Sequence, residues 1–328
     1  MAVSRHREKR GPAGRRKPDR MQDAGSGREQ KMSRTELAVS TEFAGVHMEL
    51  ERTEELFCRI AKAGFTHVHW CHEWDGDYTY SVYEMQQARE WMEKYGLKAK
   101  ALHATRGSSK DIRLYREHYR KDYTSDWEYN RKAGVELIQN RVDFAHILGA
   151  TEIVLHLYVP HLTLREEPEK KEIFYANVYK SFDELMPYCL EKGVRICVED
   201  LYDITAEFML EAWDRLLEKY PPEFMGICYD TGHANMLWRE KAPDVVSRYK
   251  DRIYAVHLHD NFGATDGHLI PWEAEVDWER VMKVIGESAY EGPLILEVGC
   301  HDTDMDVFLK KAYEAGCRLD EMMRNVRK

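Results

Sequence analysis

Five times along this chain a helical stretch with one apolar face runs into a glycine and then into a short apolar segment, and few architectures accept such a repeat. Thr53 opens the first helix with Glu54 and Glu55 in its first turn, Gly64 ends it, and 65–70 reads as a strand. Met85, Ala88, Met92 and Tyr95 keep the spacing of one helical face before Gly96 and a strand over 97–103. Val135, Ile138, Val142 and Ala145 repeat that spacing before Gly149 and a strand over 152–156. Phe182, Leu185 and Cys189 precede Gly193 and 194–199; Trp278, Val281 and Ile285 precede Gly292 and 293–297. A glycine at that place supplies the left-handed residue that ends a helix. Apolar runs over 37–40, 224–229 and 252–257 bring the expected strands to eight.

Eight apolar strands separated by helices pair in parallel, and closing them into a barrel removes both edges. An open doubly wound sheet would carry a glycine-rich phosphate loop after its first strand, and the segment 40–45 is not one. The expectation is a single-domain (β/α)8 TIM barrel over residues 34–328, a fold that takes about 250 residues. Loops over 104–126 and 157–169 exceed the usual length and are expected to cover the mouth.

Residues 1–33 form a basic extension: the first 31 hold ten Lys/Arg against four Asp/Glu and almost no large apolar side chains. Disorder is expected there, because too little surface can be buried to offset chain entropy. Taking that +6 from the chain's −10 leaves −16 for the remainder, which repels phosphate backbones and argues against a nucleic-acid partner. No run of about 18 apolar residues predicts a membrane span. The seven cysteines are scattered with no Cys-x-x-Cys pair, which suits reduced thiols and a cytoplasmic enzyme.

Six of the expected strands end on an ionisable or metal-binding residue: His103, His156, Glu199, Asp230, His257 and Glu297. The C-terminal strand ends of such a barrel converge on one face. Burying that much charge without a cation is costly, so the set predicts a divalent-ion site. Carboxylate and imidazole ligands without a thiolate suit Mn²⁺ first, with Co²⁺, Mg²⁺ or Zn²⁺ as alternatives. His233 follows Asp230 by three residues and leans over the same pocket; Asp266 and His268 lie in the loop after the seventh strand and could support a second ion. Taken singly, His103 and His156 read equally well as hydrogen-bonded core histidines. His67, His69, His72 and His259 read as structural or rim residues. Trp70, Trp74, Tyr158 and Trp272 are candidates to stack on a sugar face, with simple packing as the alternative.

At these motifs the chain resembles the xylose-isomerase-like barrel superfamily. The carriers are Val198-Glu199-Asp200, Tyr229-Asp230-Thr231-Gly232-His233-Ala234, Val256-His257-Leu258-His259-Asp260-Asn261, Asp266-Gly267-His268 and Leu296-Glu297. The resemblance implies Glu199, Asp230, His257 and Glu297 as metal ligands and His233 as a substrate contact; His103, Trp70 and His268 are further candidate substrate contacts from their places in the sequence. It also implies a reaction in which Glu199 and Glu297 remove and return a proton next to a carbonyl, through a metal-stabilised enediolate. Two departures narrow the choice. Leu201 stands where xylose isomerase has a lysine, and Gly263 where ketose 3-epimerases have an arginine.

Three functions follow as expectations. The first is a metal-dependent sugar isomerase or epimerase acting on a small-molecule sugar or glycoside, self-associating as such enzymes do. The second rests on the stretch from Thr66 to Asp75, which is similar to the large subunit of C-glycoside deglycosidases. That resemblance implies a carbon–carbon lyase on 3-oxo-glycosides with a small second subunit and a histidine base, His156 or His103. The third is a phosphodiesterase of the endonuclease-four type, whose full ligand set has counterparts in type here.

Overall fold

In the computed structural model residues 35–47, 50–105 and 121–328 are described. The basic extension and most of the first expected lid lie outside the described residues. Eight strands form one parallel sheet: β1 (Leu37–Ser40), β2 (His67–Trp70), β3 (Lys98–Thr105), β4 (Glu152–Leu155), β5 (Arg195–Glu199), β6 (Met225–Asp230), β7 (Ile253–His257) and β8 (Leu294–Leu296). Their order runs from β7 in sequence back to β1 and then β8. The seam closes just past β7, where the Leu258 N–H donates to Ile295 O at 3.0 Å and the Glu297 N–H to Leu258 O at 3.2 Å. This is the (β/α)8 barrel that the repeat predicts.

Ten helices among the described residues pack around it: α1 (Leu50–Ala63), α2 (Val82–Lys94), α3 (Glu128–Leu148), α4 (His161–Glu166), α5 (Lys170–Lys192), α6 (Ala206–Lys219), α7 (Thr231–Trp238), α8 (Ala242–Ser247), α9 (Trp278–Gly286) and α10 (Met305–Val326). The apolar spacings seen in sequence are the buried faces, such as Val135, Ile138, Val142 and Ala145 on α3. Gly149 and Gly193 cap α3 and α5 at φ +80 and +67, as a left-handed cap requires. Gly292 is not a helix cap: α9 already ends at Gly286, and a turn carries the chain on to β8.

Most of the apolar core lies between strands and helices, and two small clusters stand apart from it. They are Ala38, Ala101 and Ile295, and Val154, Cys197, Cys228 and Ala255. Their neighbours in sequence, such as Ile153, Leu155, Ile196 and Val198, belong to the outer core, so the small residues face the barrel interior. Two residues beyond Ala101, Val154, Cys197, Cys228, Ala255 and Ile295 come His103, His156, Glu199, Asp230, His257 and Glu297. The strand period of two therefore delivers all six to the same interior at the mouth. No helix among the described residues is long and apolar enough to cross a membrane, and all seven cysteines are free.

Candidate metal centre

His257 Nδ1 is the meeting point. Glu199 Oε1 lies 2.8 Å from it, Glu297 Oε2 3.0 Å and Asp230 Oδ2 3.8 Å. The four side chains come from β5, β6, β7 and the residue after β8, and all are buried. Among the described residues none of these carboxylates pairs with a lysine or arginine; their partners are imidazoles, with the Cys71 thiol on Glu297 Oε1 and the His233 backbone N–H on Asp230 Oδ1. Glu199 Oε2 is 2.8 Å from His156 Nε2 and 3.5 Å from His103 Nε2.

The electrostatics follow from that crowding. Burial works against ionisation of Glu199, but His257 and His156 outweigh it and hold the carboxyl well below the usual range. Glu297 is lowered in the same way, with burial opposed chiefly by His257. Burial opposes protonation of His257, yet Cys228 and then Glu297 and Glu199 raise it well above an ordinary imidazole. Protons on buried rings thus do the neutralising that a cation would otherwise do. Burial pushes the Cys228 thiol well up, and its sulfur lies within reach of the same point as Glu199 and His257. The three carboxylates and several imidazoles that dominate the set fit a hard or borderline divalent ion.

A second cluster shares Asp230. His259 Nε2 lies 2.9 Å from Asp230 Oδ1, His233 Nε2 3.3 Å from Asp266 Oδ2, and His268 Nε2 3.1 Å from that same oxygen. The rings of His259 and His268 stack with centroids 4.2 Å apart. Gly232 is what lets His259 in, since a Cβ there would stand 2.0 Å from its Cε1. Asp266 and His268 are fixed through Asp260, a buried carboxylate. It accepts the backbone N–H groups of Asn261, Trp272, Ala274 and Val276 and the indole N–H of Trp278. Within that loop His268 stands at φ +43, held by a contact of 2.7 Å between its Nδ1 and Glu297 O.

Above the cluster lies a polar cavity of about 140 Å³ whose wall includes Glu199, Glu297, His103, His156, His233 and His268. Eight of the nine site residues predicted from sequence therefore come together. Trp70 does not. It alternates with the inward His69, so its ring points into the helix layer against Phe57 and Phe144 and donates to Tyr80 Oη at 2.9 Å. The aromatics that reach the cavity are Trp74, Tyr158 and Tyr202, and Trp74 packs on His103 at 4.4 Å and on His156 at 4.9 Å.

Two further site residues escaped the sequence reading. Glu42 lines the cavity from a 3-10 turn that Ser40 caps, and it accepts the Trp74 indole N–H at 3.3 Å. Burial, and then the charge of Glu297, raise its pKa. His69, read as structural, lies with its Nε2 3.1 Å from His257 Nε2. The loop that carries Trp74 is held by Arg141 of α3. Its guanidinium is buried and donates to the carbonyls of Ala104, Glu73 and Tyr78 at 2.6, 3.1 and 2.9 Å.

Residues 57–325 match the family described as xylose isomerase-like TIM barrel. The chain belongs to that family. An uncharacterized protein of Sinorhizobium fredii, y4fM, is 33% identical over 82% of this chain and 88% of its own length. An inosose dehydratase of Clostridium tetani is 27% identical over 39% of this chain and 50% of its own length. Among solved structures, a D-tagatose 3-epimerase-like protein aligns at 20% identity and TM-score 0.64, over 89% of this chain and 98% of its own. The 3-keto-D-glucoside 4-epimerase YcjR of E. coli aligns at 16% and 0.61, over 88% and 99%. At these identities the structural matches speak for the fold.

Proposed function

We propose that this chain is a divalent-metal-dependent sugar isomerase or epimerase that moves a proton at the carbon next to a carbonyl. One observation carries the reading: Glu199 and Glu297, from strands that are not neighbours, converge with Asp230 on His257 Nδ1 in the floor of a polar cavity. Glu199, Asp230, His257 and Glu297 would hold the ion, Mn²⁺ by preference. When bound, it supplies Lewis-acid polarisation that acidifies the neighbouring C–H. One of Glu199 and Glu297 would take the proton from carbon as a carboxylate, and the other, having taken up a proton from solvent, would deliver it to the opposite face of the same carbon; release of the abstracted proton to solvent resets the pair. His156 and His103 orient Glu199 through its second oxygen. His233 and His268 present ring nitrogens to substrate hydroxyls, and Trp74 offers its face to the sugar. The family's fold and the activities for which the relatives are named, on inososes, ketoses and a 3-keto-glucoside, support a carbonyl-bearing substrate. The net −16 of residues 32–328 supports a small molecule over a nucleic acid.

A second reading, elimination, is favoured by Glu42. A third carboxyl on the cavity wall, with its pKa raised, could protonate a departing oxygen as the electrons of the broken C–H bond expel it. A C–C-cleaving lyase with a small partner subunit, using His156 as base, falls in the same class.

The test is proton exchange. The Mn²⁺-loaded chain in D2O is given D-allulose, a 3-keto-glucoside and an inosose, and deuterium entry beside the carbonyl is followed by NMR. Exchange with formation of an epimer supports the first reading, and appearance of an unsaturated ketone the second. No exchange with any of the three would sink both.

A further inference from the structure

His69 is not among the residues that line the cavity above the metal centre, yet it is the ring on which His257 rests. The two Nε2 atoms are 3.1 Å apart, the ring centroids 4.7 Å apart and tilted by 59°. Both side chains are fully buried, and His69 Nδ1 has no hydrogen-bond partner. On its other edge His257 turns Nδ1 to Glu199, Glu297 and Asp230.

Two ring nitrogens at that distance need one proton between them. If Nδ1 of His257 is to bind a cation it must give up its hydrogen, and a neutral ring then carries the hydrogen on Nε2. That N–H points at His69 Nε2. We infer that His69 is a positioning residue that fixes the tautomer and ring angle of His257 by accepting its Nε2–H; the inference rests on the metal-dependent reading above. Ligating histidines are commonly held by a carboxylate or a carbonyl, which can only accept. Here the partner is another imidazole, whose Nε2 accepts while its own hydrogen sits on Nδ1.

His69→Phe and His69→Gln separate this from packing, since phenylalanine fills the space and glutamine returns a group that donates and accepts near the Nε2 position. Mn²⁺ binding to the full chain is read from the free-ion EPR signal, and folding from thermal unfolding without metal. His69→Phe is expected to weaken Mn²⁺ binding about 10–100-fold, with His69→Gln recovering most of the loss. Equal affinity in all three proteins, or a glutamine variant as weak as the phenylalanine one, overturns the inference. Should the phenylalanine variant not fold, ¹⁵N NMR of the unsubstituted Zn²⁺-loaded chain decides: the hydrogen of His257 on Nε2 supports it, and on Nδ1 overturns it. If the unsubstituted chain binds neither Mn²⁺ nor Zn²⁺, the proposed function falls and the inference with it. Binding that ignores residue 69 removes the inference alone.

Discussion

Both ends of this barrel bury charge, and they do it differently. At the N-terminal end Lys100 Nζ meets Glu152 Oε2 at 2.5 Å, Arg195 approaches the other oxygen at 3.5 Å, and Tyr290 lies beneath the ammonium at 5.4 Å. Lysine and arginine satisfy that carboxylate within the protein. At the mouth, Glu199, Asp230 and Glu297 have no such partner among the described residues and face imidazoles. One end is closed by fixed lysine and arginine charge, the other by ring protons that a cation can replace. The comparison teaches that buried charge marks a working site where the charge that balances it can be exchanged.

Four outcomes would break or sharpen that contrast. The largest belongs to the mouth: Glu199→Gln or Glu297→Gln should lower turnover by about 10²–10⁴-fold or more while the far-UV circular dichroism is kept. Full activity in either variant would remove the two-carboxylate mechanism. Next comes the closed end. Glu152→Gln leaves the Lys100 ammonium buried beside a neutral amide and should cost about 3 kcal/mol or more of stability by urea unfolding, with Mn²⁺ affinity unchanged. A loss of affinity there would show that the two ends are coupled.

Third, exhaustive chelation should abolish activity, and Mn²⁺ or Co²⁺ should restore it. An ion held at a hundred times its dissociation constant should also stabilise the fold by about 2.7 kcal/mol. Activity that survives chelation would count decisively against the metal.

The smallest effect is in pH. Burial opposes protonation of His268, but Asp266 pushes its pKa up from 6.5 to about 10. Its contribution to the metal-free fold is therefore fully present below pH 6.5 and is lost as the pH rises toward about 10. His268→Asn should flatten the fall in melting temperature across that window. Metal binding should run the other way and tighten as the rings lose their protons.

What the sequence revealed depended on periodicity. Five strands were legible because a helical face and then a glycine announce the apolar run that follows, and three as apolar runs alone. Six site residues were legible because each ends such a run, two positions beyond a small inward residue. The same rule, applied to β2, would have turned Trp70 outward and His69 inward; a cluster of aromatics in one stretch obscured it. Glu42 follows no period, and Trp74 stood out only as one aromatic candidate among several. Glu42 is aimed by the Ser40 cap, and Trp74 by a loop tied to Arg141 more than sixty residues later, and neither tie leaves a local mark in sequence.

Asp260 holds the Asp266–His268 loop almost wholly through backbone N–H groups. Such an anchor is indifferent to side-chain identity, so the loop can exchange its outward residues and keep its shape. The segment between Asn261 and Val276 is thus a cassette with a fixed mount. An exposed position in it such as Phe262 can be exchanged while Asp260, Gly263, Asp266 and His268 stay put.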